Sequence, residues 1–114
     1  MLPKKNRLKN KKEIDDVFKH GNIANEKFLL LKYCPNNQET TRIAFSIGIN
    51  YSKSAVKRNY AKRILRKTAY EFSKRIKTGF DLVFFLKKEY QKKLTPKEST
   101  DIMKNLLEKS GLIK

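Results

Sequence analysis

The sequence predicts an α/β fold in a single domain, with the element order α-β-β-α-β-α, and three observations carry that prediction. The chain has 114 residues, the usual size of one domain around one core. Residues 42–50 (RIAFSIGIN) alternate bulky and small side chains with the two-residue period of a strand. Residues 53–77 contain neither Gly nor Pro and repeat apolar positions at helical spacing, and a short apolar run follows them at 80–86.

Taken in order, residues 1–9 (MLPKKNRLK) are basic and aperiodic, and read as a mobile or extended N-terminal arm carrying Lys4, Lys5 and Arg7. A helix follows from Asn10, a good N-cap, with Glu13 three residues on and placed to reach back as in a capping box. Ile14, Val17 and Phe18 recur at i, i+3 and i+4 and define its apolar face. His20 caps its end, and Gly21 is expected at the C′ position with positive φ. Lys27–Tyr33 (KFLLLKY) is too short for a helix and is stopped by Pro35 and Asn36-Asn37, so it reads as the first strand.

Arg42–Asn50 is the second strand. Ile43, Phe45, Ile47 and Ile49 form a bulky face; Ala44, Ser46, Gly48 and Asn50 form a face of small residues. Such a face is open either to another part of the chain or to a ligand lying across the sheet. The helix 53–77 ends at Thr78-Gly79, and Phe80–Leu86 is the third strand, parallel to the second if the two share a sheet. Thr95, Pro96 and Glu98 occupy the N-cap, N1 and N3 positions of a last helix. Ile102, Met103, Leu106 and Leu107 are its inward stripe, and Gly111 ends it.

Composition narrows the function. Hydrophobic residues make up 39% and aromatics 11% of the chain, enough for one modest core. No run of 18 apolar residues could cross a membrane, and the N-terminal stretch lacks the apolar segment of a secretory signal. The lone Cys34 closes no intramolecular disulfide, which fits a reducing, cytoplasmic setting. Against 11 Asp+Glu stand 28 Lys+Arg, a net charge of +17. That excess opposes compaction through self-repulsion and points to a polyanionic partner, nucleic acid first.

The helix 53–77 concentrates this charge, with ten basic residues and one acid, Glu71. At 100° per residue, Ala61, Ile64, Leu65, Thr68 and Phe72 occupy an arc of about 100° that docks on a sheet. Arg58, Lys62 and Arg66 repeat at i+4 immediately beside it, and Asn59 and Arg63 extend the row outward. Helices stabilised by surface charge alternate signs at that spacing. Like charges repel there, so the row is explained by phosphates that neutralise it, and arginine's planar fork suits them. A membrane-surface role fits less well, because the apolar stripe is of core type.

The segment Ser54-Ala55-Val56-Lys57-Arg58-Asn59-Tyr60-Ala61-Lys62-Arg63-Ile64-Leu65-Arg66 resembles the signature of the bacterial ribonuclease P protein subunit: an alanine, an Arg-Asn pair, a Lys/Arg-Arg pair and a further basic residue. Arg7-Leu8-Lys9 with Val17-Phe18-Lys19-His20-Gly21 resembles that family's first helix, and Gly79-Phe80-Asp81-Leu82-Val83 its third strand. The resemblance spans essentially the whole chain. It departs at Tyr60, where a basic residue is usual, and at Ile49-Asn50, where a Lys-Lys pair is common.

The resemblance implies a two-layer α+β arrangement, a small mixed sheet packed with three helices, and a left-handed β-α-β crossover where chain chirality alone favours the right-handed one. It also implies that the protein binds the catalytic RNA of ribonuclease P and the 5′ leader of precursor tRNA, one protein to one RNA, while Mg²⁺ held mainly by the RNA and substrate supplies the chemistry. Lys53, Lys57, Arg58, Asn59, Lys62, Arg63, Arg66 and Lys67 are the expected RNA-binding residues. Ile14, Phe18, Ser46 and Gly48 would line the leader cleft, where Phe18 serves as core or as a stacking platform.

No catalytic group or protein metal site is expected. One His and one Cys cannot assemble a His/Cys metal centre, Asp15 and Asp16 point to different sides of their helix, Asp81 stands apart from other acids, and no Gly-rich phosphate loop occurs. Cys34 is expected in or beside the sheet. The competing reading is a ribosomal-type protein that rides on ribosomal RNA, whose composition would look the same. A stand-alone nuclease ranks behind both.

Overall fold

Asn10 caps the first helix, α1 (Lys11–His20), its side-chain oxygen accepting the N–H of Lys12 at 2.9 Å. A computed structural model of the chain describes residues 4–48, 51–87 and 94–113. Its elements continue with β1 (Asn22–Glu26), β2 (Leu29–Pro35), β3 (Arg42–Ser46), α2 (Ala55–Phe72), β4 (Phe80–Leu86) and α3 (Pro96–Lys109). The strands form one mixed sheet in the order β1-β2-β4-β3. β2 is antiparallel to β1 and β4, whereas β3 and β4 are parallel, and α2 supplies the long crossover that a parallel pair needs.

Side-chain alternation divides the sheet into two faces. Leu29 and Leu31 of β2, Ile43 of β3, and Leu82, Phe84 and Leu86 of β4 join Ala61, Leu65, Ala69 and Phe72 of α2 and Ile102, Met103, Leu106 and Leu107 of α3 in the main core. On the opposite face Val83 and Ala44 meet Val17 of α1 and Leu8, with Ile14, Phe18 and Cys34 at the margin. The small face of β3 is thus covered in part by α1 and the arm. Cys34 lies on β2, half-buried, as expected.

Several sequence expectations need correction. The arm is not free-running: Lys4–Asn6 form a 3₁₀ turn, Arg7 bridges Ile43 in parallel, and buried Leu8 donates its N–H to the Ile43 carbonyl at 2.9 Å. Leu8 is the anchor, since its side chain completes the smaller core. Residues 1–3 lie outside the described residues. Glu13 does not close a capping box; its carboxylate pairs with Arg42 of β3 at 2.8 Å. Gly21 has φ −76° and needs no left-handed backbone. Glycine is required there because a Cβ would stand 2.5 Å from the Val17 carbonyl oxygen.

The strand β1 (NIANE) was not anticipated. It is a largely exposed edge strand whose residues alternate too weakly to register, and it turns into β2 through Lys27, whose φ is +49°. β3 stops at Ser46, and Tyr51 N–H donates to the Gly48 carbonyl at 3.0 Å; Ile49 and Asn50 lie outside the described residues. α2 ends at Phe72 rather than Lys77. Ile76 bridges Ile113, and Lys77 N–H donates to the Leu112 carbonyl at 2.7 Å, so contacts to the C-terminal segment replace helical bonds. β4 and the start of α3 are as expected: Thr95 Oγ1 accepts the Glu98 N–H at 3.2 Å, with Pro96 in the first turn.

Candidate nucleic-acid interface

Ser54 starts α2, its side chain accepting the Lys57 N–H at 3.3 Å. Docking then sets the rotation of the helix. Ala61, Leu65, Thr68, Ala69 and Phe72 are buried, with Ile64 half-buried against the core. Ala69 is a member of the stripe that periodicity left out. Thr68 also ties α2 to α3 through a buried 2.6 Å hydrogen bond between its hydroxyl and that of Ser99.

With that face fixed, the basic row emerges where spacing placed it. Lys57, Asn59, Arg63, Arg66 and Lys67 are exposed, and Arg58 and Lys62 are half-buried at the shoulder. Lys53 precedes the helix and is exposed. Among the described residues, Lys57, Lys62, Arg63, Arg66 and Lys67 make no ion pair with a carboxylate. The row therefore keeps its charge free for phosphate. Arg58 is partly committed, because its Nη1 donates to the Ser52 carbonyl at 2.8 Å and braces the turn into the helix.

A groove of about 270 Å³ joins this row to the arm and to α1. Lys62 and Arg66 stand on one wall, Arg7, Leu8 and Lys9 on another, with Ile14 of α1 and Ala44 and Phe45 of β3 beside them. β3 is an edge strand, and the arm covers it only as far as the Arg7–Ile43 bridge. Four cations from two segments thus converge on an edge floored by apolar side chains, a combination suited to a sugar–phosphate chain with bases turned inward. Lys4 and Lys5 are exposed in the turn before the arm reaches the groove.

The other cleft residues separate from it. Phe18 leans on Phe85 edge-to-face, centroids 6.2 Å apart, and Lys32 Nζ lies 5.2 Å from its ring while donating to the Phe18 carbonyl. Ser46 is half-buried at the end of β3, and Gly48 is exposed beyond it. Sequence reading missed Lys9, Lys32 and Phe85. The signals were present: Lys32 interrupts the run KFLLLKY on the α1 face, and the Phe84-Phe85 pair must split across the sheet, one ring per face. Among the described residues no three His, Cys, Asp or Glu side chains could share a metal ion. No described helix is long and apolar enough to cross a membrane.

A model of the family Ribonuclease P matches residues 2–111. The ribonuclease P protein component of Clostridium botulinum (strain 657 / Type Ba4) is 31% identical over 110 residues, covering 96% of this chain and 97% of that protein. That of Bacillus pumilus is 30% identical over 112 residues, covering 97% and 92%. Among solved structures, the RNase P protein of Staphylococcus aureus superposes with a TM-score of 0.84 at 18% identity, over 96% of this chain and 98% of that one. The RNase P protein of Thermotoga maritima superposes with a TM-score of 0.80 at 21% identity, over 90% and 96%. With the mixed sheet, the three helices and the basic row arranged as above, the chain belongs to the ribonuclease P protein component family.

Proposed function

We propose that this protein binds the catalytic RNA of ribonuclease P and the 5′ leader of precursor tRNA, and assists the RNA-catalysed endonucleolytic removal of that leader. The observation that carries the reading is the groove in which Lys62 and Arg66 of α2 face Arg7 and Lys9 of the arm across the β3 edge. In this reading Arg66, Lys62 and Arg63 engage phosphates of the catalytic RNA, with Arg58 and Asn59 at the head of the helix. The leader lies across the α1 face of the sheet, against Ile14, Phe18 and Ser46. Mg²⁺ is held mainly by RNA and substrate, and the protein supplies positioning and charge neutralisation. The complex forms in the cytoplasm with one protein per RNA.

Neutralising phosphate charge and raising local cation density do related work, so the protein's contribution is greatest when Mg²⁺ is scarce. The test is reconstitution with the catalytic RNA of the same genome, measuring precursor-tRNA cleavage at low Mg²⁺. Stimulation over RNA alone is expected; none would overturn the proposed role in leader removal.

A further inference from the structure

The ridge Arg58, Lys62, Arg66 does not stop at its last arginine. Tyr70 stands one more i+4 step along α2, and Lys74 lies in the turn just past the end of the helix at Phe72. Tyr70 is 48% exposed, whereas Phe72 on the docking face is 6% exposed. A large ring is therefore left in water in line with a row of cations.

A second groove, of about 640 Å³, opens at this point between the end of α2 and the start of the arm. Tyr70 and Lys74 line one side, Lys5 and Asn6 the other, with Thr40 and Thr41 beside them; Glu71 is its one carboxylate among the described residues. Ile43 lines both this groove and the smaller one that holds Lys62 and Arg66. The two grooves thus follow one seam, α2 on one side and the arm on the other, carrying cations along both walls and one exposed aromatic ring.

From that juxtaposition we propose that Tyr70 is a stacking platform for an unpaired nucleotide of the catalytic RNA, with Lys5 and Lys74 on the flanking phosphates. A ring that stacks on a base and cations that hold the backbone are the two parts of a single-strand site, and stacking accepts any base because every base has a π-face. The catalytic RNA is the occupant because Tyr70 continues the ridge assigned to it, on the side of the sheet away from α1 and the leader cleft. The proposal rests on the function proposed above.

Tyr70→Trp places a single tryptophan in a chain that has none, and its emission reports stacking directly. Titration with the catalytic RNA is expected to quench it in step with binding, and a leader-length single-stranded oligonucleotide alone is not. Tyr70→Ala is expected to bind the catalytic RNA about five- to tenfold more weakly with an unchanged salt slope, since no charge is lost. Tyr70→Phe keeps the ring and should stay within about twofold of the parent. Wild-type affinity of Tyr70→Ala, or a silent tryptophan, overturns the stacking site; if Arg66→Ala still weakens binding, the proposed function stands without it. Quenching by the leader oligonucleotide alone overturns the catalytic RNA as occupant. Failure of the unaltered protein to bind the catalytic RNA overturns both proposals.

Discussion

Arg42 grips Asp81 at two points, Nε to Oδ1 at 2.9 Å and Nη2 to Oδ2 at 2.8 Å, across the parallel β3–β4 pair. The same Nη2 reaches Glu13 of α1 at 2.8 Å, and Asn36 donates its side-chain amide to Asp81 at 2.9 Å. One guanidinium therefore ties two strands and the first helix together. Its hydrogen bonds to Asp81 hold the Arg42 proton more tightly than usual, outweighing the opposing cost of burial, with Glu13 adding to the effect.

Burial separates the two carboxylates in energy. The Asp81 side chain is 9% exposed and that of Glu13 is 38%. Arg42→Ala leaves a buried carboxylate with one neutral donor, and should cost about 3 kcal/mol. Glu13→Ala removes a half-solvated partner and should cost under about 1 kcal/mol. Thermal denaturation of the two variants checks the order; equal shifts would mean that α1 docking, not the strand pair, depends on Arg42.

Legibility in the sequence followed the strength of local signals. Thr95-Pro96-Lys97-Glu98 carries three helix-start features in four residues, and α3 begins there. Leu65 and Phe72 repeat at helical spacing, and both are buried. β1 is itself an edge strand, pairs through its backbone with β2 alone and buries little, so its side chains hold no periodic trace. Glu13 satisfied a helix-start pattern but is drawn to Arg42, a partner 29 positions away in sequence that only the fold supplies. In the same way the basic row on α2 was legible from its spacing. Arg7 was legible only as part of a basic arm; its place beside Lys9 on the facing wall was not, because Leu8, which docks the arm, is a single apolar residue in a basic stretch.

Arg66→Ala should weaken binding to the catalytic RNA and lower the slope of log K against log salt by about 1, the loss of one phosphate contact. Arg58→Ala should do so with an additional loss of stability of about 1 kcal/mol, since it also frees the Ser52 carbonyl. Filter binding across a salt series, with melting curves beside it, separates the two. An unchanged slope in both variants would place the RNA on another face.

Leu65 tests the opposite side of the helix. It is fully buried, so Leu65→Ala should cost about 2–5 kcal/mol through lost packing and the cavity left behind. Its salt slope should match the parent wherever the variant is folded. Urea denaturation gives the first number and filter binding the second.

Cys34 gives a pH dependence with a definite sign. Burial pushes its thiol up from 9.0, and the negative charges of Asp81 and Asp16 push the same way. A folded value above the unfolded one means that the fold holds the proton. The stabilisation is complete below pH 9 and is lost as pH rises through the folded value. Alkylation at pH 8 should accordingly be slower in the native chain than in urea, because less thiolate is present. Cys34→Ala should flatten the fall in stability above pH 9, although Tyr51, raised by burial, keeps part of that slope. Equal alkylation rates in the native and unfolded chains would contradict the assignment.

Phe18 separates packing from recognition. Its ring rests on Phe85 and faces Lys32 Nζ, yet it stays half-buried, leaving part of the ring for a ligand on the α1 face. A purely structural ring would, when truncated, destabilise the chain and weaken every RNA ligand in proportion. A ring that also stacks on the leader makes the loss selective. Phe18→Ala should then weaken precursor tRNA about fivefold or more relative to mature tRNA, the scale of one base–aromatic stack. Phe18→Tyr, which keeps the ring, should restore it. The measurement is holoenzyme affinity for the two tRNAs at fixed salt; equal losses for both would assign Phe18 to the core alone.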